Sequence, residues 1–313
     1  MELQRGRKLR IGILGAGAQG TLFGWHLAEL AEVTFLDISP ELCAAIERDG
    51  VRLQGEGPRR AAATLDASVL FSADLLFAFV KAHDTLRAFR HFAGRLNPSA
   101  PIVTLQNGLG NEEAIKTALG GNVALVVGIT SETAVSRGEG VAQRIGRGRT
   151  VVGGAGATSA TVERVAALLS GAGLETQTAY DIRPHLWGKL IATAAINPIS
   201  ALLDRENGVI VDDSDAGALA RSIALEAAAV AQAMAIKLPF ADVWGYVREI
   251  VEQTAAVEST MAYDLAAGRR TEVEQINGAI VATGRRAGIP TPYNDAVLRL
   301  IKARERRLAA LAR

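Results

Sequence analysis

Apolar residues along this chain fall into two regimes. Through the first half, short apolar runs at residues 9–14, 33–37, 75–80, 101–105, 123–129 and 150–153 alternate with stretches of helical spacing. That alternation predicts right-handed βαβ crossovers and a mainly parallel sheet. Residues 50–64, which include Gly-Val-Arg-Leu-Gln-Gly-Glu-Gly-Pro, read as a small hairpin or irregular connection. Around residues 136–148 the pattern fades into glycine and arginine, which predicts a loop-rich antiparallel edge. After residue 181 the period changes. Ala-rich segments at 215–236, 239–268, 272–287 and 294–312 repeat apolar residues at helical spacing. Asp213 or Ser214 can cap the first, and Gly-Ile-Pro-Thr-Pro at 288–292 ends the third and restarts the chain.

The first two apolar runs frame a more specific signal. Residues 9–14 lead into G-x-G-x-x-G at Gly15, Gly17 and Gly20, a helical stretch follows, and residues 33–37 end in Asp37. Gly15 permits a tight turn, Gly17 lets backbone N–H groups approach a pyrophosphate, and Gly20 lets the helix pack closely on the strand. Ala18 and Gln19 open that helix, whose N-terminus favours phosphate charge. In a chain with 32 glycines the triplet alone says little; with strand, helix and acid in register it points to a dinucleotide. Asp37 suits a ribose 2′-hydroxyl and repels a 2′-phosphate. Ile38, Ser39, Pro40 and Glu41 add no basic group, so the residues themselves favour NAD(H), with Arg48 the one nearby cation that could reach in. Asp37 could also cap the helix that starts near Pro40. The expected architecture is α/β. A Rossmann-type, mainly parallel sheet spans residues 1–180, and an all-α substrate and catalytic domain spans residues 181–313.

Composition narrows the partners. At 313 residues the chain can bury two cores. With 34 basic and 33 acidic residues the net charge is +1, so no global field points to nucleic acid or an anionic membrane. No apolar run approaches the roughly 20 residues of a membrane span. Residues 1–10 are basic and polar and run straight into the glycine loop, so no secretory leader is expected. A lone Cys43 between Leu42 and Ala44 excludes an internal disulfide and reads as a buried thiol. These features predict a cytoplasmic enzyme without a metal; a homodimer stays open. The cationic tail at 299–313 reads as a solvated amphipathic helix.

Four segments place polar groups in apolar surroundings: Val-Lys81-Ala-His-Asp at a strand end, Leu-Gln-Asn107-Gly-Leu-Gly beyond another, the stretch holding Lys189, Thr193 and Asn197, and the stretch from Ser259 through Thr260 and Glu272 to Gly278. Lys189, Thr193 and Asn197 recur every four residues and so line one helix face. Reducing a 2-keto acid needs a hydride donor, a proton donor for the developing alkoxide, and a grip on the carboxylate. A lysine in a partly desolvated site can donate that proton, and a nearby carboxylate keeps it charged. Lys189 and Glu272 suit these roles. The bland alternatives are a snorkelling lysine and a helix N-terminal charge after Thr271.

These residues carry a resemblance. G-A-G-A-x-G, the strand-end V-K-A, L-Q-N-G-L-G-N-E-E, W-x-K-L followed by I-N-P, S-T-M-x-x-D-L-x-x-G-R-x-T-E with I-N-G, and the closing G-I-P-T-P-x-N resemble the ketopantoate reductase (2-dehydropantoate 2-reductase) family over nearly the whole chain. The resemblance implies NADPH-dependent reduction of 2-dehydropantoate to (R)-pantoate, toward pantothenate and coenzyme A. It implies that Lys189 is the proton donor, Glu272 its acidic partner, Asn107 the asparagine beside the nicotinamide and Lys81 a cofactor-site lysine. It places Thr260, on the second serine of the family's S-S-M, at the substrate carboxylate, and Asn197 on the family's N-P asparagine. Three positions depart from the family pattern. Thr193 replaces an asparagine at the substrate, Arg144 stands where H-x-G-x-G has histidine, and Asp37 occupies a position commonly basic or neutral in NADPH-using members. Thr193 and Asp37 together lean toward the family's NAD-dependent D-2-hydroxy acid dehydrogenases of the D-mandelate type. A dinucleotide-binding sensor without turnover is the reading from another class, and Lys189, Glu272 and the Thr260 hydroxyl argue against it.

Overall fold

The computed structural model describes residues 7–121 and 123–311. Of residues 1–10 only 7–10 are described, and the last two residues of the cationic tail lie outside the described residues. Contacts divide the chain into two compact units, Met1–Gln106 with Asn111–Ile182, and Asn107–Gly110 with Arg183–Arg313.

In the first unit, β1 (Arg10–Leu14), α1 (Ala18–Leu27), β2 (Glu32–Leu36) and α2 (Pro40–Asp49) are followed by the short strands β3 (Arg52–Leu53) and β4 (Ala62–Thr64). Next come β5 (Leu75–Ala78), α3 (Thr85–Arg90), β6 (Ile102–Thr104), α4 (Asn111–Leu119) and β7 (Leu125–Thr130). The unit closes with β8 (Thr133–Ser136), β9 (Val141–Gly146), β10 (Thr150–Gly154), α5 (Ser159–Gly171) and β11 (Thr176–Thr178). Eight strands form one sheet in the order β11-β10-β7-β6-β5-β1-β2-β4, parallel except between β7 and β10. The direction of winding reverses between β1 and β5, the position where such sheets receive ligands.

Residues 136–148 depart from the expected sheet edge. They form most of a hairpin, β8 and β9, that joins β3 in a separate three-stranded sheet. The 50–64 connection is likewise divided, since β3 pairs with β9 while β4 extends the main sheet beside β2, with an antiparallel Val51–Arg59 bridge between them. This second sheet explains α1. Gly20 through Leu27 are all buried because the helix has a sheet on either side, so it carries no polar face. Trp25 donates its Nε1–H to Gly57 O at 2.8 Å, and the Arg59 guanidinium lies 3.5 Å from the indole centroid. The polar Thr-Gln-Thr of β11 carries no apolar run by which sequence could find it.

The second unit is helical: α6 (Arg183–Leu202), α7 (Val209–Asp212), α8 (Ser214–Ala233), α9 (Val243–Gln253), α10 (Thr260–Ala266), α11 (Asn277–Ala287) and α12 (Pro292–Leu311). Asp213 caps α8, its Oδ1 accepting from Asp215 and Ala216 N–H. The Ala-rich stretch 239–268 is not one helix. Asp242 caps α9 and Ser259 caps α10, so side-chain acceptors restart the backbone ladder inside a continuous apolar period. The segment expected at 272–287 begins at Asn277, because residues 271–276 form a turn held by side chains.

A buried amide network ties this unit together. Asn294, fully buried, donates to Ile223 O (3.1 Å) and Glu226 Oε2 (2.8 Å) and accepts from Asn277 Nδ2 at 3.1 Å. Glu226 also accepts from the backbone N–H groups of Tyr293 and Asn294. Asn294→Ala strips these partners in the core and should lower unfolding free energy by about 2–3 kcal/mol, read from the urea midpoint.

Candidate functional site

Three glycines open the nucleotide-facing end of the first unit, each for a different reason. Gly15 adopts φ +95°, and a Cβ there would meet the Phe79–Val80 backbone at 2.9 Å. A Cβ on Gly20 would lie 1.9 Å from Gly15 O. Gly17 is different: a Cβ would project into open space. Gly17 is also the N-cap of α1 and offers no side-chain acceptor, so the first-turn N–H groups at Ala18 and Gln19 face outward beside an exposed glycine. This cradle fits a phosphate. The Gln19 carboxamide itself points elsewhere, donating to Glu132 O at 2.7 Å, so only its backbone N–H serves the cradle.

Asp37 lies half-buried just beyond β2. Its Oδ2 accepts from Ala16 N–H at 2.8 Å and its Oδ1 from Ser39 N–H at 3.1 Å, which fixes the carboxylate against the glycine loop. Ser39, not Asp37, caps α2, accepting from Leu42 N–H. Arg48 closes on Asp49 at the far end of α2 and brings no charge to Asp37. Lys81 is half-buried beyond β5, the strand beside β1. At the departure noted above, Arg144 grips Glu132 through two hydrogen bonds, and the Glu132 side chain is almost wholly buried. Spacing alone assigns no role to Gln106 or Asn111. Gln106 Nε2 donates to Val80 O and Thr85 Oγ1, and Thr85 Oγ1 donates to Asn111, locking two strand ends together.

In the second unit, α6 carries Lys189, Thr193 and Asn197 along one half-buried face, while Trp187, Leu190, Ile191, Ala194 and Ala195 are buried. Gly188 lets the stacked Phe240 and Tyr246 rings approach the helix beside the lysine, the Phe240 ring lying 3.2 Å from where a Cβ would sit. Desolvation pushes the Lys189 pKa down to about 8, against the attraction of Glu272, which raises it.

Glu272 is buried in the turn before α11. Glu305 on α12 anchors that turn by accepting from both Thr271 N–H and Thr271 Oγ1 at 2.7 Å. The segment Asn107–Gly110 packs on the same turn. Leu109 N–H donates to Gln275 O at 2.9 Å, and Gly108, at φ +80°, has no room for a Cβ, which would fall 2.5 Å from that oxygen. The result aims Asn107 Nδ2 at Glu272 Oε2, 3.4 Å away. Lysine, glutamate and asparagine thus converge although they lie 82 or more residues apart. Thr260 is exposed as the first residue of α10, directly after its cap Ser259. Among the described residues no group of three His, Cys, Asp or Glu side chains is placed to hold a metal ion, and no helix is long and apolar enough to cross a membrane.

Comparison with known proteins agrees along the chain. The family model described as ketopantoate reductase PanE/ApbA matches residues 11–156, and its C-terminal counterpart matches residues 181–305. A 2-dehydropantoate 2-reductase of Halobacterium salinarum is 34% identical over 305 residues, covering 95% of this chain and 99% of that one. The crystal structure of a PanE/ApbA family ketopantoate reductase from Ralstonia eutropha superposes with a TM-score of 0.88 at 31% identity, covering 96% and 100%. The ternary structure of D-mandelate dehydrogenase with NADH and anilino(oxo)acetate gives 0.87 at 25% identity, again covering 96% and 100%.

Carbon-13 NMR of the reductively methylated protein should resolve one lysine titrating near pH 8, well below the usual value of 10.5. Glu272→Gln removes the charge that raises it, so this resonance should titrate roughly one unit lower or more. A shift in the other direction would contradict the coupling.

Proposed function

The chain belongs to the ketopantoate reductase family, and on that premise we propose that it reduces 2-dehydropantoate to (R)-pantoate with a nicotinamide dinucleotide. The observation that carries this reading is the half-buried Lys189 with a pKa near 8, held charged by Glu272. The open Gly17, the uncapped start of α1 and the placement of Asp37 support a dinucleotide in the first unit.

When bound, the reduced nicotinamide supplies a hydride to the keto carbon. Charge then builds on the keto oxygen, where the Lys189 ammonium stabilises it and delivers its proton, leaving a hydroxyl and a neutral amine that reprotonates from solvent. A pKa near 8 keeps most of the lysine protonated at neutral pH while making its proton easier to give. Glu272 holds the ammonium in place, and Asn107 holds Glu272 by donating to its carboxylate. Thr193, Asn197 and the Thr260 hydroxyl bind the substrate, Thr260 at its carboxylate.

A second reading rests on Asp37 and Thr193: a D-2-hydroxy acid dehydrogenase using NADH on branched or aromatic 2-keto acids. A fixed Asp37 carboxylate would repel a 2′-phosphate, and Arg48, closed on Asp49, would offer that phosphate no partner. We therefore assign NADH as the preferred cofactor under either reading.

Oxidation of NADH and NADPH over a panel of 2-dehydropantoate, 2-ketoisovalerate and phenylglyoxylate separates the possibilities. Fastest turnover of 2-dehydropantoate is expected; turnover of phenylglyoxylate or 2-ketoisovalerate alone selects the second reading, and none at all selects a sensor. Lys189→Ala should lower kcat by about 100-fold or more, the usual worth of a positioned proton donor. In the reductive direction kcat/KM should fall above pH 8, because the acid form of Lys189 is the reactive one. Asp37→Ser should raise kcat/KM for NADPH relative to NADH; if the unaltered protein already prefers NADPH, the assignment of that acid is wrong.

A further inference from the structure

Pro198 sits inside α6, one residue after Asn197 and one helical turn before its end. Proline has no N–H, so the carbonyl of Ala194 loses its helical donor, and the ring crowds the preceding turn. Asn277 replaces the missing donor: its Nδ2 lies 3.1 Å from Ala194 O. The same nitrogen donates to Asn294 Oδ1, so the substitute bond is anchored in the buried network between α8 and α12. On the other side of the break, Asn197 O accepts from Ser200 Oγ (3.2 Å) and Ser259 Oγ (3.3 Å). Ser259 is also the cap of α10, which begins with Thr260.

Stability does not explain this arrangement. Alanine at position 198 would continue the ladder with its own N–H, without a ring crowding the preceding turn. Asn277 would then need no place in an apolar core, where its Oδ1 is buried without a hydrogen-bond partner. What the pair adds is geometry. The carbonyls flanking the break belong to Ala194 and Asn197, and each is held by a side chain from another element.

We propose that Asn277 is a positioning residue of the substrate site. By taking the carbonyl that Pro198 orphans, it sets the part of α6 carrying Thr193 and Asn197, and Ser259 links that part to Thr260. This rests on the proposed reading of those three residues as keto acid contacts.

Steady-state kinetics of the full chain test it, using Asn277→Ala, Pro198→Ala and the double variant with the best keto acid of the panel. Asn277→Ala should raise the KM of the keto acid about tenfold, near the worth of one buried hydrogen bond, and leave the KM of NADH unchanged. Pro198→Ala returns an N–H to Ala194 O, so in the double variant it should recover most of that loss rather than add to it. Additive losses, or a normal keto acid KM with only a lower Tm, would overturn the proposal. Should Asn277→Ala fail to fold, Asn277→Asp takes its place, since a carboxylate cannot donate to Ala194 O: a raised keto acid KM with an unchanged KM for NADH supports the proposal, and a normal keto acid KM overturns it. Lys189→Ala separates the two levels. Full turnover in that variant removes the underlying reading and this inference with it. If that variant is inactive while the Pro198 and Asn277 variants keep a normal KM, only this inference falls.

Discussion

A lysine can act as an acid near neutral pH only if it is dried enough to loosen its proton and paired enough to keep it. The second unit does both to Lys189. Drying comes from burial on α6, where Trp187, Gly188, Leu190 and Ile191 around the lysine are buried. Pairing comes from Glu272, and a buried carboxylate needs fixing in turn. Glu305 pins the start of its turn, the Asn107–Gly110 segment pins the end, and Asn107 approaches the carboxylate itself. The resulting pKa near 8 is a balance in which desolvation is the larger effect.

The motifs that identify the family divide, in this structure, between chemistry and carpentry. Gly17, Asp37, Lys189 and Glu272 are the residues that the proposed reading puts at cofactor or substrate. Gln106, Asn277 and Asn294 instead satisfy backbone carbonyls that the fold leaves open, and Asn111 accepts from the Thr85 hydroxyl beside Gln106. Buried amides suit that work because one side chain can donate and accept at once. The departure at Arg144 belongs to the second group, since its guanidinium is spent on a buried glutamate beneath the turn into β8.

Asp37 is a carboxylate held in one place. Its carboxylate is not free to swing away, because Ala16 and Ser39 hold one oxygen each. Under the proposed reading, fixed negative charge at the strand tip would favour a hydroxyl over a phosphate, and Arg48, paired with Asp49, does not offset it. The Ala16 contact ties the acid to the glycine loop, so a change at Asp37 would disturb the loop as well as the charge.

Local pattern was enough for much of this protein. Strand and helix periods, the G-x-G-x-x-G turn, the acid at the tip of β2 and the four-residue spacing of Lys189, Thr193 and Asn197 are all properties of neighbouring residues, and sequence displays neighbours directly. The family was legible for the same reason, through ordered motifs along the chain. What sequence misread was set by distant partners. One apolar period at 239–268 became two helices because Asp242 and Ser259 cap them, and residues 136–148 became a second sheet because α1 needed cover on its outer face. Only the tertiary structure could decide that Asn107 belongs with Glu272, that Asn277 completes a helix broken at Pro198, and that Lys189 is dry enough to titrate near 8. Those are facts of burial and of hydrogen bonds spanning tens of residues or more, and no local period encodes them.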